Sequence, residues 1–331
     1  MPKRSKKIQP SALPRQLPPP IDASQLKTYP LARRASKVRL GDFASPWRGH
    51  GTLAHFLKSL PDILAVETFR AVVQAVVRAH RRGRPVIVGM GAHVTKVGLN
   101  PLFIDLMERR IVTALAMNGA VVIHDFELAL TGHTSEDVEA EIDSGQFGMA
   151  EETGRMLNEA IARGVNDGQG LGEAIGHYIN RYQGQFRHRG VSLLATGARL
   201  GVPVTVHVGV GTDITHMHPS ADGAAIGAGS LFDFRRLTAV VAGMEGGVYL
   251  NLGSAVILPE VFLKCITLAR NLGHPLSDIT TVNMDFLPHY RPTANVVKRP
   301  TQKGGHGYQL IGHHEIMIPL LAAAVIEELG G

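Results

Sequence analysis

Between Pro85 and Asp125 the chain reads PVIVGMGAHVTKVGLNPLFIDLMERRIVTALAMNGAVVIHD, and this stretch leaves few folds open. An apolar run, Val86-Ile87-Val88, stops at Gly89-Met90-Gly91. Leu102, Leu106 and Arg109–Arg110 then fall along the turns of a helix expected from Pro101 to Arg110. A second apolar run, Val112 to Met117, stops at Asn118-Gly119. Two continuous apolar strands joined by a crossover helix make a βαβ unit, which requires a parallel sheet covered on both faces. In open sheets of that kind ligands bind beyond the carboxyl ends of the strands. Here those ends carry Gly89, Gly91, His93, Asn118, Gly119, His124 and Asp125, and the site is expected among them.

The rest of the chain repeats the alternation. Helices are expected over 53–60, 63–81, 150–163, 171–185, 192–200, 230–244 and 259–272, with Phe126 to Thr131 beginning another. Thr134-Ser135-Glu136-Asp137 reads as a helix cap with an acidic first turn. Strands are expected over 203–208, 248–252 and 278–284, the last followed by a loop, YRPTANVVKRP. The closing helix, 313–329, is expected to break or kink at Pro319. The pattern predicts a doubly wound, mostly parallel Rossmann-like α/β sheet. It divides the chain into an N-terminal arm, 1–50, and one domain, 51–331.

Of 34 Lys/Arg and 28 Asp/Glu, the first 50 residues hold 11 and 2, leaving 23 basic against 26 acidic residues beyond them. The basicity therefore lives in a Pro-rich arm, and the slightly acidic body argues against nucleic acid as the partner. One cysteine, Cys265, excludes an internal disulfide framework and fits a reducing compartment. No apolar signal segment follows the basic N-terminus, and the longest apolar run near the C-terminus, 316–326, is too short to span a bilayer. The cytoplasm is the expected location.

Three kinds of chemistry are open to these residues. Glycines at the strand ends, in GMGAHVTKVG, MNGAVVIHD, GVGTDITHMHPSADG and LGSA, would let backbone N–H groups approach phosphates, although no GxGxxG fingerprint is present. His207, His216, His218 and Asp213 offer a candidate metal cluster, set against 16 histidines that cluster by chance. Lys96, Lys264 and Lys298 lie in or beside candidate site loops, where an amine of depressed pKa would serve Schiff-base chemistry.

Over about residues 60–328 the chain resembles the deoxyhypusine synthase family. The family's G-Y-T-S-N-L-x-S-S-G is similar to GMGAHVTKVG, with Gly89 and Gly98 at the same spacing and His93 in place of asparagine. Its T-T-A-G-G-x-E-E-D resembles MNGAVVIHD, which keeps Asp125 and has His124 before it. Its P-V-x-S-P-A-L-T-D-G resembles Pro203-Val204 through Thr212-Asp213, with an insertion reaching Asp222-Gly223. Its I-N-T strand end resembles Val282-Asn283-Met284, and its acidic loop is shortened to Asp285-Phe286-Leu287-Pro288-His289-Tyr290. LGSAVILPE stands where L-G-G-G-V-V-K-H-H would, so Leu258, Pro259 and Glu260 replace the basic trio.

In that family NAD takes a hydride from a secondary amine of spermidine, and a lysine carries the aminobutyl group to a lysine of a translation factor. The resemblance implies NAD held by Gly89, Gly91, His93, Gly98, Asn118, Gly119, Asp222, Asn283 and Asp285. It also implies a catalytic set of Lys298, His124, Asp125 and Asp213, and a homotetramer. Lys298 stands two positions early in RPTANVVKRP, which lacks the family's tryptophan, and this argues against deoxyhypusine synthesis itself.

The leading expectation is an NAD-dependent enzyme that abstracts hydride from an amine or polyamine, with alkyl-amine transfer as an extension. Carboxylates at Asp125, Asp213 or Asp222 would hold the cation, and His93 or His124 would exchange the proton. A catalytically silent NAD-binding or assembly protein and a His-cluster metal-dependent hydrolase are the alternatives.

Overall fold

A strand covered on both faces is mostly apolar, and all five residues of Val86–Met90 and of Val248–Leu252 are buried. In the computed structural model, which describes residues 17–330, six strands form one all-parallel sheet in the order β3-β2-β1-β4-β5-β6. In chain order, α1 (Leu53–Ser59) and α2 (Ala65–Arg81) lead into β1 (Val86–Met90). Then come α3 (Ala92–Lys96), α4 (Asn100–Glu108), β2 (Ala114–Asn118) and α5 (Gly119–Thr131). A long excursion follows through α6 (Val138–Glu141), α7 (Glu151–Asn166), α8 (Leu171–Arg181) and α9 (Leu193–Leu200) to β3 (Val204–His207). The second half runs α10 (Gly223–Ala242), β4 (Val248–Leu252), α11 (Ile257–Asn271), β5 (Thr280–Asp285), α12 (Tyr290–Pro292), β6 (His306–Ile311) and α13 (His314–Leu329). A π-helical turn, Thr293–Lys298, continues α12.

Alternation along the strands sorts the core into two layers. Val88, Met90, Leu115, Met117, Val206, Leu250, Leu252 and Met284 face α2, α4, α5 and α13. Ile87, Ala116 and Tyr249 face α10 and α11 through Leu237, Val241, Phe262 and Cys265. The β1 helices thus cover one face and the β4 helix the other, so the crossovers reverse between β1 and β4. That reversal opens the crevice where doubly wound sheets take their ligands.

Four expectations are corrected. The helix expected to begin at Phe126 starts at Gly119, directly after β2, where the Asn118 side chain accepts the Val121 N–H at 3.1 Å. An apolar run such as AVVI fits a buried strand or a buried helix equally well. Next, α10 begins at Gly223, where the Asp222 carboxylate caps the N–H groups of Ala224 (2.8 Å) and Ala225 (3.2 Å). Third, the segment after β5 is helical, not a loop, and it leads to an edge strand, β6, that the sequence reading passed over. Finally, α13 runs unbroken through Pro319, which stands early enough in the helix to forfeit a single backbone bond.

By contact density the chain forms two units, Met1–Gly41 and Asp42–Gly331. In the first, the described part is irregular apart from a 3-10 turn at Leu31–Arg33 and the start of another, Leu40–Asp42. Among the described residues no helix is long and apolar enough to cross a membrane.

Candidate active site

At the crevice, β1 and β4 end in contact. Gly91 donates its N–H to the Leu252 carbonyl at 2.9 Å. A Cβ on Gly91 would lie 2.2 Å from the Gly253 carbonyl oxygen, and one on Gly89 would lie 2.2 Å from the Tyr249 hydroxyl. Both glycines are therefore required by packing within the sheet, and the open side of Gly91 is closed by protein. Around the rim, the His93 ring lies 6.0 Å from Phe286 and 5.5 Å from His314, while His313 stacks on Phe286 at 6.2 Å. His314 is fully buried: Nε2 lies 3.2 Å from the Met284 carbonyl, and Nδ1 has no partner.

Beside the crevice, over the carboxyl ends of β2 and β3, lies a cavity of about 230 Å³. Lys96 of α3, His124 and Glu127 of α5, Glu136, and Asp213 of the loop after β3 supply its charged and titratable groups. Asp213 is nearly enclosed, and its Oδ2 is buried without a hydrogen-bond partner, 3.9 Å from His216 Nε2. Burial pushes the Asp213 carboxyl pKa up, and His216 opposes the shift. His124 Nδ1 lies 2.7 Å from Thr134 Oγ1. Burial lowers the His124 pKa, with Glu127 raising it and Lys96 lowering it, and the net shift favours the neutral imidazole.

Of the residues singled out in sequence, His124 and Asp213 meet at this cavity, with Gly119 beneath the Asp213 carboxylate. Gly91 and His93 meet at the crevice. Asp125 points the other way, into the core. It is fully buried and accepts from Asn100 Nδ2 (3.0 Å), Ser192 Oγ (2.6 Å), Leu193 N (2.7 Å) and Leu194 N (3.3 Å), thereby tying α5 to the start of α9. Asn118 and Asp222 are spent as helix caps. Asn283 is fully buried inside β5 and accepts from Asn251 Nδ2 at 2.7 Å. Asp285, at the end of β5, accepts the Phe286 N–H at 2.8 Å. Gly98 turns the chain between α3 and α4 at φ 80°.

Lys298 is set apart from all of these. Its helix ends at the amino edge of the sheet: Thr281, second in β5, bonds the Val296 carbonyl, and Gly307, second in β6, packs on the Val297 carbonyl. The histidine cluster is dispersed too. His207 is buried, with Nε2 3.0 Å from Thr205 Oγ1, and burial holds its pKa down at about 3. His216 Nδ1 accepts the Gly211 and Asp213 N–H groups, and His218 pairs with Ser220 and Glu151. Among the described residues no three His, Cys, Asp or Glu side chains gather as metal ligands, and the hydrolase reading loses its site.

Glu127 and Thr153 escaped the sequence reading, and Thr134, expected in a helix cap, bonds Glu127 instead while Asp137 caps α6. Glu127 is three residues after His124, so both fall on one face once 119–131 is recognised as a helix. Thr153 comes from a distant segment and left no local signal.

No family model matches the sequence, and no curated protein matches it. The fold is similar to that of a conserved protein assigned to the LOR/SDH type from Methanococcus maripaludis S2: TM-score 0.50, 13% identity, covering 81% of this chain and 71% of that one. It is also similar to AgrE, solved as a ternary complex with ornithine and NAD+: TM-score 0.52, 14% identity, 82% of this chain and 35% of AgrE. The chain thus spans about a third of AgrE's length. A protein assigned as a deoxyhypusine synthase from Entamoeba histolytica aligns over 86% of this chain and 96% of its own, at 11% identity and a TM-score of 0.48, too loose to carry an argument. At these identities the likeness is one of fold.

Proposed function

We propose that this chain is an NAD-dependent enzyme that acts on a small amine, with the dinucleotide along the β1/β4 crevice and the amine in the adjoining cavity. The observation that carries the reading is the unpartnered, buried Oδ2 of Asp213 in a cavity whose charged side chains are three carboxylates and one lysine. A buried carboxylate oxygen without a donor is costly, and an ammonium group is the donor that relieves it. The strand order supports the dinucleotide, as does AgrE, which has this fold and binds ornithine and NAD+ in one complex.

The crevice residues fit a dinucleotide in part. The His93, Phe286 and His313 rings offer flat surfaces, and His314 Nδ1 is a buried polar atom in want of a partner. The first turn does not fit the G-x-G-x-x-G pattern, because Gly91 is closed by Gly253 and Val94 stands at the third glycine position. His93, Phe286, His313 and His314 are thus the residues that would hold the cofactor. A nicotinamide bound there would supply a hydride acceptor.

The protein's own part is binding and proton transfer. Asp213 binds the ammonium, and the ion pair brings its raised pKa back down. The neutral imidazole of His124 takes the proton that the ammonium must shed before its carbon can give up hydride. Lys298 has no part in this scheme. The closed first turn favours one second reading, a protein that has kept the fold for assembly and lost the chemistry. A homotetramer and a cytoplasmic location complete the proposal; light scattering tests the first.

Calorimetric titration with NAD+, followed by NADH absorbance with a panel of di- and polyamines, tests the reading. Saturable binding with NADH formed from at least one amine is expected. Binding without turnover of any amine, or no NAD+ binding at all, would overturn the enzyme and leave the assembly reading.

A further inference from the structure

His124, Thr134 and Glu127 form a directed string of hydrogen bonds. Thr134 Oγ1 lies 2.7 Å from His124 Nδ1 and donates its proton to Glu127 Oε2 at 2.5 Å. Glu127 Oε1 accepts in turn from Thr153 Oγ1 at 3.0 Å. A hydroxyl has one proton, and here it goes to a carboxylate that can only accept. Thr134 therefore has only lone pairs to offer the imidazole, so Nδ1 must carry the hydrogen and Nε2 the free lone pair. The loop that presents Thr134 takes the next residue, Ser135, through φ 74°, a left-handed conformation that costs a serine free energy and persists where neighbours impose it.

The string also has a direction in space. His124 lines the 230 Å³ cavity, Thr134 and Thr153 line a wider one of about 930 Å³, and Glu127 lines both. We infer that Thr134 and Glu127 are positioning residues that fix His124 as a general base, its Nε2 lone pair turned to the amine and its Nδ1–H held by the threonine. The assignment rests on the amine reading above for its substrate. In the step it serves, the nitrogen of a substrate ammonium loses its proton to Nε2, the neutral amine and an imidazolium form, and the Glu127 carboxylate balances the new charge through Thr134. After the amine has reacted, Nε2 gives its proton to solvent in the 230 Å³ cavity and the Nδ1–H imidazole is restored. The charged groups facing His124 are Glu127 on α5, Lys96 on α3, Glu136 on the intervening loop and Asp213 after β3.

The test is the 15N spectrum of the histidine side chains in the full chain, which reports tautomer and titration together. His124 is expected as the Nδ1–H tautomer. Thr134→Val should move it toward Nε2–H, Thr134→Ser should restore Nδ1–H, and Glu127→Gln should lower the imidazole pKa while leaving the tautomer in place. An Nε2–H tautomer in the native chain, or one unchanged in Thr134→Val, overturns the assignment. If Thr134→Val does not fold, the native tautomer and the Glu127→Gln titration decide alone. With an active amine, Thr134→Val should lower kcat at least about tenfold with KM little changed, and serine should recover most of the loss. Because the spectrum needs no substrate, a correct tautomer in a protein that turns over no amine would count against the amine reading alone.

Discussion

The Asp213 carboxylate fills the space that a side chain on Gly119 would need: a Cβ there would lie 2.0 Å from Oδ2. Gly119 opens α5, so the carboxylate rests against the positive end of a 13-residue helix while keeping one oxygen unpaired. Gly119→Ala should push Asp213 out of the cavity at a cost of about 1–3 kcal/mol in stability. It should also match Asp213→Asn in lowering kcat/KM for the amine at least about tenfold, the loss expected of one charge-assisted contact. Urea denaturation and steady-state kinetics measure the two effects. An alanine variant of full activity would mean that the substrate does not use this carboxylate.

A second glycine makes a prediction about the core. Gly89 exists to admit Tyr249, whose ring stacks on Phe262 with centroids 3.7 Å apart and whose hydroxyl is buried with no partner. Gly89→Ala should cost about 1–3 kcal/mol through overpacking. Tyr249→Phe removes an unpaired polar atom and should be neutral or stabilising by about 1 kcal/mol. Combining the two should recover part of the alanine's cost, a non-additivity that a double-mutant cycle in urea would read directly. Strict additivity would mean that the two residues do not meet.

What was legible beforehand follows from where the information sits in the chain. Val248–Leu252 was read at its observed bounds because VYLNL is a largely apolar run ending at a glycine, Gly253. The helix after β2 was placed late, at Phe126 instead of Gly119, because the apolar run AVVI carries no helix signal of its own, and the deciding contact is the Asn118 side chain on Val121. β6 was missed because HGYQLI, at a sheet edge, has no need to be apolar. Asp213 and His124 were legible as chemistry-bearing residues, but Glu127, Thr134 and Thr153 come together only through the 132–137 loop and α7, which no local pattern encodes.

Lys298 offers a sharp contrast between resemblance and placement. It is exposed at the amino edge of the sheet, whereas His124, Asp213, His93 and His314 lie at the carboxyl edge. Lys298→Ala should therefore retain NADH formation within about twofold, whereas removal of a covalent carrier would abolish transfer chemistry. Loss of activity in this variant, with NAD+ binding intact, would show that the lysine serves a site by a route absent from the single chain.

Two carboxyls in the interior make stability depend on pH in a direction opposite to that of surface ion pairs. Asp233 takes the N–H groups of Val206 (2.8 Å) and Gly172 (3.1 Å) on one oxygen, joining β3, α8 and α10. Burial pushes its pKa from 3.8 up to about 7 against those hydrogen bonds, and burial likewise pushes Asp125 up to about 6. The folded chain therefore holds these protons at pH values where the unfolded chain has released them. Their contribution to stability is full below the unfolded value of 3.8, falls as pH rises through about 6 and about 7, and is flat above. Asp233→Asn keeps an oxygen for the two N–H groups and cannot ionise, so it should flatten the fall. Urea midpoints from about pH 5 to about pH 8 should drop less in the variant than in the native chain, each unit of pKa shift being worth ~1.4 kcal/mol. Parallel curves would mean that Asp233 titrates alike in the folded and unfolded chain, and the lost slope would have to be sought at Asp125.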